Sequence, residues 1–325
     1  MKPKFLSSLV LAALLLASCS SEDSETDNSP VELRISSGVE VLLKSATNTQ
    51  ENKIASGETV SLWVNDAVST TELYKANQLT ADGNNGFTYG TAMYFPQTGN
   101  AVNIYALHGN FSPAFGTGDA FPTTIDYTVP ANQSAGGTVY TNADLLYAYS
   151  DNVARNGNPT TASLTFYHML SKLELAIKVG SGAPALATSG AVTLGNNDIT
   201  MNGGFKPSTT ATMTNQAECA AMLYTAATPA TGTLTLGQEV STDFTDPNIV
   251  YNEAILVPQD ISGKVLAFRL ANGGTLKYTI PAGTTFESGK KYRYHITLNL
   301  TGLQVSSAIE NWEAINPVSG NAEMD

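Results

Sequence analysis

Apolar and polar residues alternate along much of this chain with the period of a β-strand. Val31, Leu33, Ile35, Val39, Val41 and Leu43 are apolar and all odd-numbered, with Glu32, Arg34, Ser36, Gly38 and Glu40 between them. Period two places one set on one face of an extended strand. Ser37-Gly38 lies midway without breaking the parity, so one long element is expected over 31–44. Burying six such side chains at about 1.5–3 kcal/mol each gives a gross term on the order of 10 kcal/mol, as an upper bound. Lys44 closes this run, and Arg34, the only Arg before Arg155, sits inside it.

Similar runs recur to the end of the chain. Val60, Leu62 and Val64 alternate, with Trp63 on the other face. The turn cluster Asp82-Gly83-Asn84-Asn85-Gly86 leads into Phe87–Phe95, which stops at Pro96. Val102–Leu107 and Asp144–Tyr149 follow, and Phe166–Val179 is the longest central run. In it Leu173, Leu175, Ile177 and Val179 alternate with Lys172, Glu174 and Lys178, before Gly180-Ser181-Gly182-Ala183-Pro184 interrupts it. Beyond that break come Ala254–Val257, a hairpin of Val265–Leu270 and Thr275–Ile280 around Asn272-Gly273-Gly274, and Tyr292–Leu300. Val305, Ile309 and Trp312 follow, and Glu313–Asp325 reads as a polar tail. Residues 206–250 are rich in Thr and Ala and are expected as long loops or edge strands. No amphipathic helix longer than ten residues is found. Short strands and turns, repeated twice, predict an all-β fold of two tandem antiparallel β-sandwich domains, 31–180 and 181–325.

The first thirty residues follow another rule. Lys2 and Lys4 precede an apolar run, Phe5–Ala17, the plan of a signal peptide over 1–18. The run is shorter than the ~20 apolar residues that span a bilayer. Leu16-Ala17-Ser18-Cys19 has the form of a bacterial lipobox, in which the Cys19 thiol is acylated and becomes the first residue of the mature chain. Acyl chains contribute about 0.8 kcal/mol per buried CH₂, and more than one makes anchoring stable. Residues 19–30 carry four carboxylates directly after the Cys and form a solvated acidic tether. An acidic pair at that position resembles the signal that sends some lipoproteins to the outer face of the outer membrane.

Composition narrows the function. The chain has 325 residues, a formal net charge of −12 and only 14% charged residues, against about 25% in a typical domain. It has no basic patch with interleaved aromatics, which argues against nucleic-acid binding. With Cys19 committed to lipid, Cys219 stands alone and is expected to be a small buried residue. The three histidines, His108, His168 and His295, have no second His or Cys at zinc-ligand spacing and read as structural. There is no nucleophile elbow, calcium loop or phosphate-binding glycine loop, so no catalytic residue, metal or cofactor is assigned. Trp63 and Trp312 each follow or end a strand-like run and read as packing residues, with sugar stacking as their other use.

Taken in order, a set of short segments resembles the fimbrillin family, the lipoprotein precursors of type V pili. They are Met93-Tyr94-Phe95-Pro96, Val102–Ala106, Asn132-Gln133-Ser134, Asp144–Ala148, Phe166–Leu173, Ala254–Gln259, Thr285–Tyr292, Thr301-Gly302-Leu303 and Ile309–Trp312. The resemblance implies two transthyretin-like sandwiches in a non-enzymatic structural subunit, exported as a lipid-anchored precursor to the outer membrane and cell surface. It implies that a trypsin-like protease removes the first strand, and that other copies or related subunits add a strand to the vacated groove, head to tail. The processing site is Lys44 by position, or Arg34 by residue type. The donor strand would come from the C-terminal region, with Val305, Ile309 and Trp312 as its candidates. The other reading is a monomeric surface adhesin or glycan-binding lipoprotein, at a pilus tip or anchor, facing a host surface.

Overall fold

The structure is a computed structural model and describes residues 29–39, 53–111, 113–134, 138–188, 190–208, 213–239, 249–299, 302–311 and 314–322. The first elements are β1 (Glu32–Val39), β2 (Thr59–Asp66), β3 (Glu72–Ala81), β4 (Phe87–Tyr89), β5 (Met93–Tyr94), β6 (Val102–His108) and β7 (Ile125–Thr128). A one-and-a-half-turn helix α1 (Thr138–Ala143) leads to β8 (Leu146–Val153), β9 (Thr160–His168) and β10 (Ser171–Val179). Then come β11 (Val192–Thr200), β12 (Asn202–Phe205), α2 (Ala217–Met222), β13 (Leu223–Thr225), β14 (Thr231–Thr235), β15 (Gly237–Glu239) and β16 (Ile249–Leu256). The chain continues as β17 (Gln259–Asp260), β18 (Val265–Arg269), β19 (Thr275–Thr279), β20 (Thr285–Phe286), β21 (Lys290–Asn299), β22 (Gly302–Asn311) and β23 (Ala314–Ala322).

The molecule is built from sheets, as the alternation predicts. An eight-stranded sheet runs β4-β3-β2-β6-β8-β9-β1-β5. A six-stranded sheet runs β15-β16-β10-β21-β22-β23, and a four-stranded sheet β14-β11-β18-β19. Two smaller sheets, β13-β12-β7 and β17-β20, complete it. The named strand pairs are antiparallel except β1–β9 and β10–β21. The hairpin expected around Asn272-Gly273-Gly274 forms between β18 and β19. Gly273 takes φ +90 there, a conformation that suits glycine.

Parity decides which core each residue joins. Val60, Leu62 and Val64 of β2, Ile104 of β6, Ala148 of β8 and Leu164 of β9 lie in one apolar cluster with β1. Their neighbours Trp63, Tyr105, Tyr147, Tyr149 and Tyr167 point the other way, into a second cluster. This sheet is thus buried on both faces, which is why its strands read as nearly continuous apolar runs. Aromatic packing tiles the second face: Tyr105 stacks on Tyr149 at 4.8 Å and on Phe121 at 4.5 Å, while Trp63 meets Phe115 and Phe121 edge-on. That same cluster continues through Phe205 and Met213 into Leu173, Leu175, Phe268 and Ile296. Cys219, in α2, is a buried member of it, as expected.

Three features depart from the sequence expectation. The run Phe166–Val179 is two strands, broken at Met169-Leu170, where the chain leaves one sheet for another. The Met169 amide donates to Leu145 O at 2.9 Å, and Leu170 O accepts from Gly289 N at 2.8 Å. β10 then pairs with β16 and β21 rather than with β9. Next, Lys172 and Glu174, which alternate with the apolar residues of this run, are buried, where Lys and Glu are ordinarily exposed. Lys172 Nζ lies 3.0 Å from Glu174 and 2.8 Å from Glu253, and Arg293 reaches Glu174 at 2.7 Å. Such charges stay ionised in an interior only when paired this closely. Finally, the polar tail forms β23, an edge strand on β22. Backbone pairing needs no apolar side chains, and Pro317 is tolerated because an edge strand need not donate on both sides.

The Thr/Ala-rich stretch does supply edge strands: β13, β14 and β15 each end a sheet. Gln133 binds beside β16 as if it were another strand. Its Nε2 donates to Ile255 O at 2.7 Å, and its Oε1 accepts from Ile255 N at 2.9 Å. Gln133→Ala leaves both buried backbone groups unmet and should lower stability by about 2 kcal/mol or more, read from urea denaturation.

Candidate strand-exchange groove

The first strand occupies a seat that can be described residue by residue. β1 lies between β9 and the two-residue β5. Along β9 it pairs in parallel over seven consecutive positions, Leu33↔Thr160 through Val39↔Phe166. Its other edge is held at few points. Glu32 and Leu33 pair with Tyr94 and Met93, Phe95 N donates to Val31 O at 3.0 Å, and Ser37 N donates to Asn85 O at 2.9 Å. Asn158 holds the strand's start, accepting from Glu32 N at 3.2 Å and donating to Pro30 O at 3.3 Å.

Side chains divide as parity demands. Leu33, Ile35, Ser37 and Val39 are buried, and Val31 is partly buried. The three apolar ones share a cluster with Met93, Phe95, Ala162, Leu164 and Phe166. Opposite them, Arg34 is half exposed and pairs with Glu32 at 3.0 Å. Hydrogen bonding and charge from Glu32 raise the Arg34 pKa. Ser36 Oγ donates to Ala162 O at 3.4 Å. The seat therefore reads four inward positions, three apolar and one small and polar.

Removing β1 would uncover these apolar positions and the β9 edge together. Unpaired backbone groups and apolar surface are both unfavourable in water, so the groove would take up any strand that meets both demands. Arg34 lies mid-strand with its backbone in the β9 ladder, whereas proteases favour exposed loops. Cys19, Val41, Leu43, Lys44 and Trp312 lie outside the described residues. Val305 is buried in β22, and Ile309 occupies the β22 position opposite Tyr292.

The remaining candidates are structural. His108 is buried, with its ring nitrogens 2.9 Å from Thr59 O and 3.2 Å from Thr141 O. His168 Nδ1 lies 2.9 Å from Asp144 Oδ1 in the interior. His295 is exposed on β21. Among the described residues no His, Cys, Asp and Glu group is placed to hold a metal. Trp63 is fully buried and donates to Asp119 O at 2.7 Å, so it offers no platform for a sugar. The exposed large apolar side chains among the described residues, Val68, Tyr94 and Val139, are scattered. A surface cleft of about 270 Å³ lies beside β12, lined by Tyr127, Tyr224, Asn202 and Gln259 among others. Sequence reasoning missed it because its walls come from residues far apart in the chain. Gly203 and Gly204 make it possible, since a Cβ on either would strike the Tyr127 or Tyr224 ring.

The fimbrillin-like family model matches residues 46–312. The chain belongs to the fimbrillin-like family. This fimbrillin-like chain is 23% identical over 334 residues to a Bacteroides uniformis protein provisionally named fimbrium subunit Fim1C, covering 99% of this chain and 100% of that one. Its fold is similar to that of a crystallised protein from Bacteroides ovatus, provisionally described as a cell adhesion protein. The TM-score is 0.61 at 16% identity, over 89% of this chain and 100% of the other. A second such protein, from Bacteroides uniformis, gives a TM-score of 0.57 at 18% identity, over 88% of this chain and 99% of that one. The family match begins just past Lys44 and leaves β1 outside it.

Leu33→Ala should lower stability by about 2–5 kcal/mol and speed trypsin cleavage after Arg34. The check is urea denaturation, together with the rate at which a new terminus at Ile35 appears. An unchanged rate would mean that Arg34 is cut without β1 leaving its seat.

Proposed function

We propose that this fimbrial subunit polymerises by losing β1 and taking a strand from the next subunit into the vacated seat. The observation that carries the reading is the seat itself. It is a seven-residue parallel ladder over apolar positions, filled by a strand that precedes a basic residue and lies outside the shared family region. Cleavage after Lys44 by a trypsin-like protease would release the whole strand, and cleavage after Arg34 part of it. Because the groove receives another molecule's strand, the contact is head-to-tail and builds a filament rather than a closed dimer.

The same reading gives the chain a lipid-anchored precursor stage. Residues 1–18 act as the leader, Cys19 carries the acyl chains, and residues 19–30 hold the folded part away from the outer membrane. The two sheet assemblies serve as tandem sandwiches. They share the apolar cluster that runs from Tyr105 and Tyr149 to Leu173 and Ile296, and this suits a subunit that transmits load through its body. No step calls for catalysis or a cofactor.

A second reading, a monomeric surface-anchored adhesin or glycan-binding protein, is favoured by the Tyr127–Tyr224 cleft. Tyrosine rings beside amide side chains are suited to a polar ligand with an apolar face.

Brief trypsin treatment of the leaderless chain separates the two. Strand exchange expects a new N-terminus at Ser45 and a ladder of multimers on a gel run without boiling. A resistant chain, or a cut chain that stays monomeric, would overturn polymerisation by exchange and leave the adhesin reading.

A further inference from the structure

The cleft beside β12 holds a polar group that the fold leaves unanswered. Tyr127, on β7, is only 3% exposed, and its hydroxyl has no hydrogen-bond partner among the described residues. A desolvated hydroxyl without a partner is unfavourable. Burial raises the Tyr127 pKa, so the group stays protonated and able to donate. The hydroxyl lies over Gly203, which faces Tyr127 across the β7–β12 pair. A Cβ added at Gly203 would come within 2.6 Å of the Tyr127 oxygen. Glycine therefore keeps a bare backbone floor beneath the hydroxyl, and both residues line the cleft.

The polar walls are fixed in place. Gln259 Nε2 donates to Thr200 O and Val257 O, each at 3.0 Å, and its Oε1 accepts from Thr200 N at 2.8 Å. Asn202 Nδ2 donates to Thr228 O at 3.1 Å, and its Oδ1 accepts from Ala230 N at 2.7 Å. These bonds leave each amide oxygen one lone pair and Asn202 one N–H. Leu223, Val257 and Pro258 supply an apolar wall. Among the described residues, none that lines the cleft is charged. Asp126 is engaged outside it, accepting from the Tyr224 hydroxyl at 2.9 Å, and Lys206 sits 5.8 Å from the Tyr224 ring centre.

We infer that this cleft binds one neutral hexose unit, the end of a glycan, with the Tyr127 hydroxyl donating to a sugar oxygen. The volume of about 270 Å³ lies just below the ~300–1,000 Å³ of ordinary small-molecule pockets, so it suits one ring rather than a chain. Each sugar hydroxyl both donates and accepts, which matches the mixture of donors and acceptors left over here. The C–H face of the ring meets the apolar wall. An acidic sugar would lose the hydration of its charge and find no counter-charge.

The inference rests on the surface-binding reading and gives it a ligand class. It does not compete with strand exchange, because no residue lining the cleft belongs to β1, β5 or β9. Subunits joined through the β1 seat would each carry a cleft, so weak single sites would add up along a filament.

Saturation-transfer NMR on the leaderless chain tests this. The probes are the methyl glycosides of glucose, galactose and mannose, and N-acetylglucosamine, with glucuronic acid as the charged comparison. At least one neutral sugar should bind and glucuronic acid should not. Tyr127→Phe keeps the ring and removes only the unpaired hydroxyl. It should leave the Tm unchanged or raised while weakening the sugar roughly three- to tenfold, the size of one hydrogen bond. Thr225→Trp puts a large side chain at an exposed position of the lining, and should abolish binding with the Tm kept.

Sugar binding at full strength in both variants would place the site elsewhere, so the cleft inference falls and the adhesin reading stands. Binding unchanged by Tyr127→Phe alone, or a lower Tm in that variant, would overturn the hydroxyl as donor. Tighter binding of glucuronic acid would overturn the neutral class. If no neutral probe binds, the cleft inference falls, and binding of the parent chain to mucin-coated wells decides the adhesin reading separately.

Discussion

An extended strand edge above an apolar surface does not stay open in water. That constraint governs the first third of this molecule. The seven-position ladder between β1 and β9 closes the edge, while Leu33, Ile35 and Val39 close the surface beneath it. Neither would hold alone. An isolated ladder would compete with hydrogen bonds to water, and isolated apolar burial would fix no register. Together they define a site specific in side-chain order yet indifferent to which chain supplies the strand.

The rest of the architecture supports that site by making its floor rigid. The strands next to it are buried on both faces, with aliphatic residues toward β1 and aromatic residues toward the second half. Tyr147 and Tyr167 fasten this floor further, their hydroxyls donating to Ser208 O and Met213 O. Just past the break at Met169-Leu170, Glu174 draws Lys172 and Arg293 into a buried ionic group across β10 and β21. Paired interior charges add little net stability over apolar residues, but a mispaired register would strand them.

Much of this was legible from residue order alone. The odd-numbered alternation from Val31 gives the inward set of β1 without reference to any partner, and Trp63 is correctly placed opposite Val60, Leu62 and Val64. Local pattern does not reveal partners. Nothing in residues 31–44 points to Thr160–Phe166 as their neighbour, because the pairing spans more than a hundred residues and runs parallel. The break at Met169-Leu170 is hidden because both of its sides are apolar. Lys172 and Glu174 look like a solvated face because their partners, Glu253 and Arg293, lie far along the chain. β23 escapes notice because an edge strand can be held by its backbone, leaving no periodic signature in Ala314–Ala322.

The parallel course of β1 along β9 also has a mechanical meaning. A strand seated there and pulled along its length meets the whole ladder at once, so the load is divided among its hydrogen bonds and all must yield together. A pull at right angles would peel the same bonds one after another. The seat is thus a joint that is strong in shear and weak in peeling, and the direction of pull decides how firmly two bodies joined through it hold.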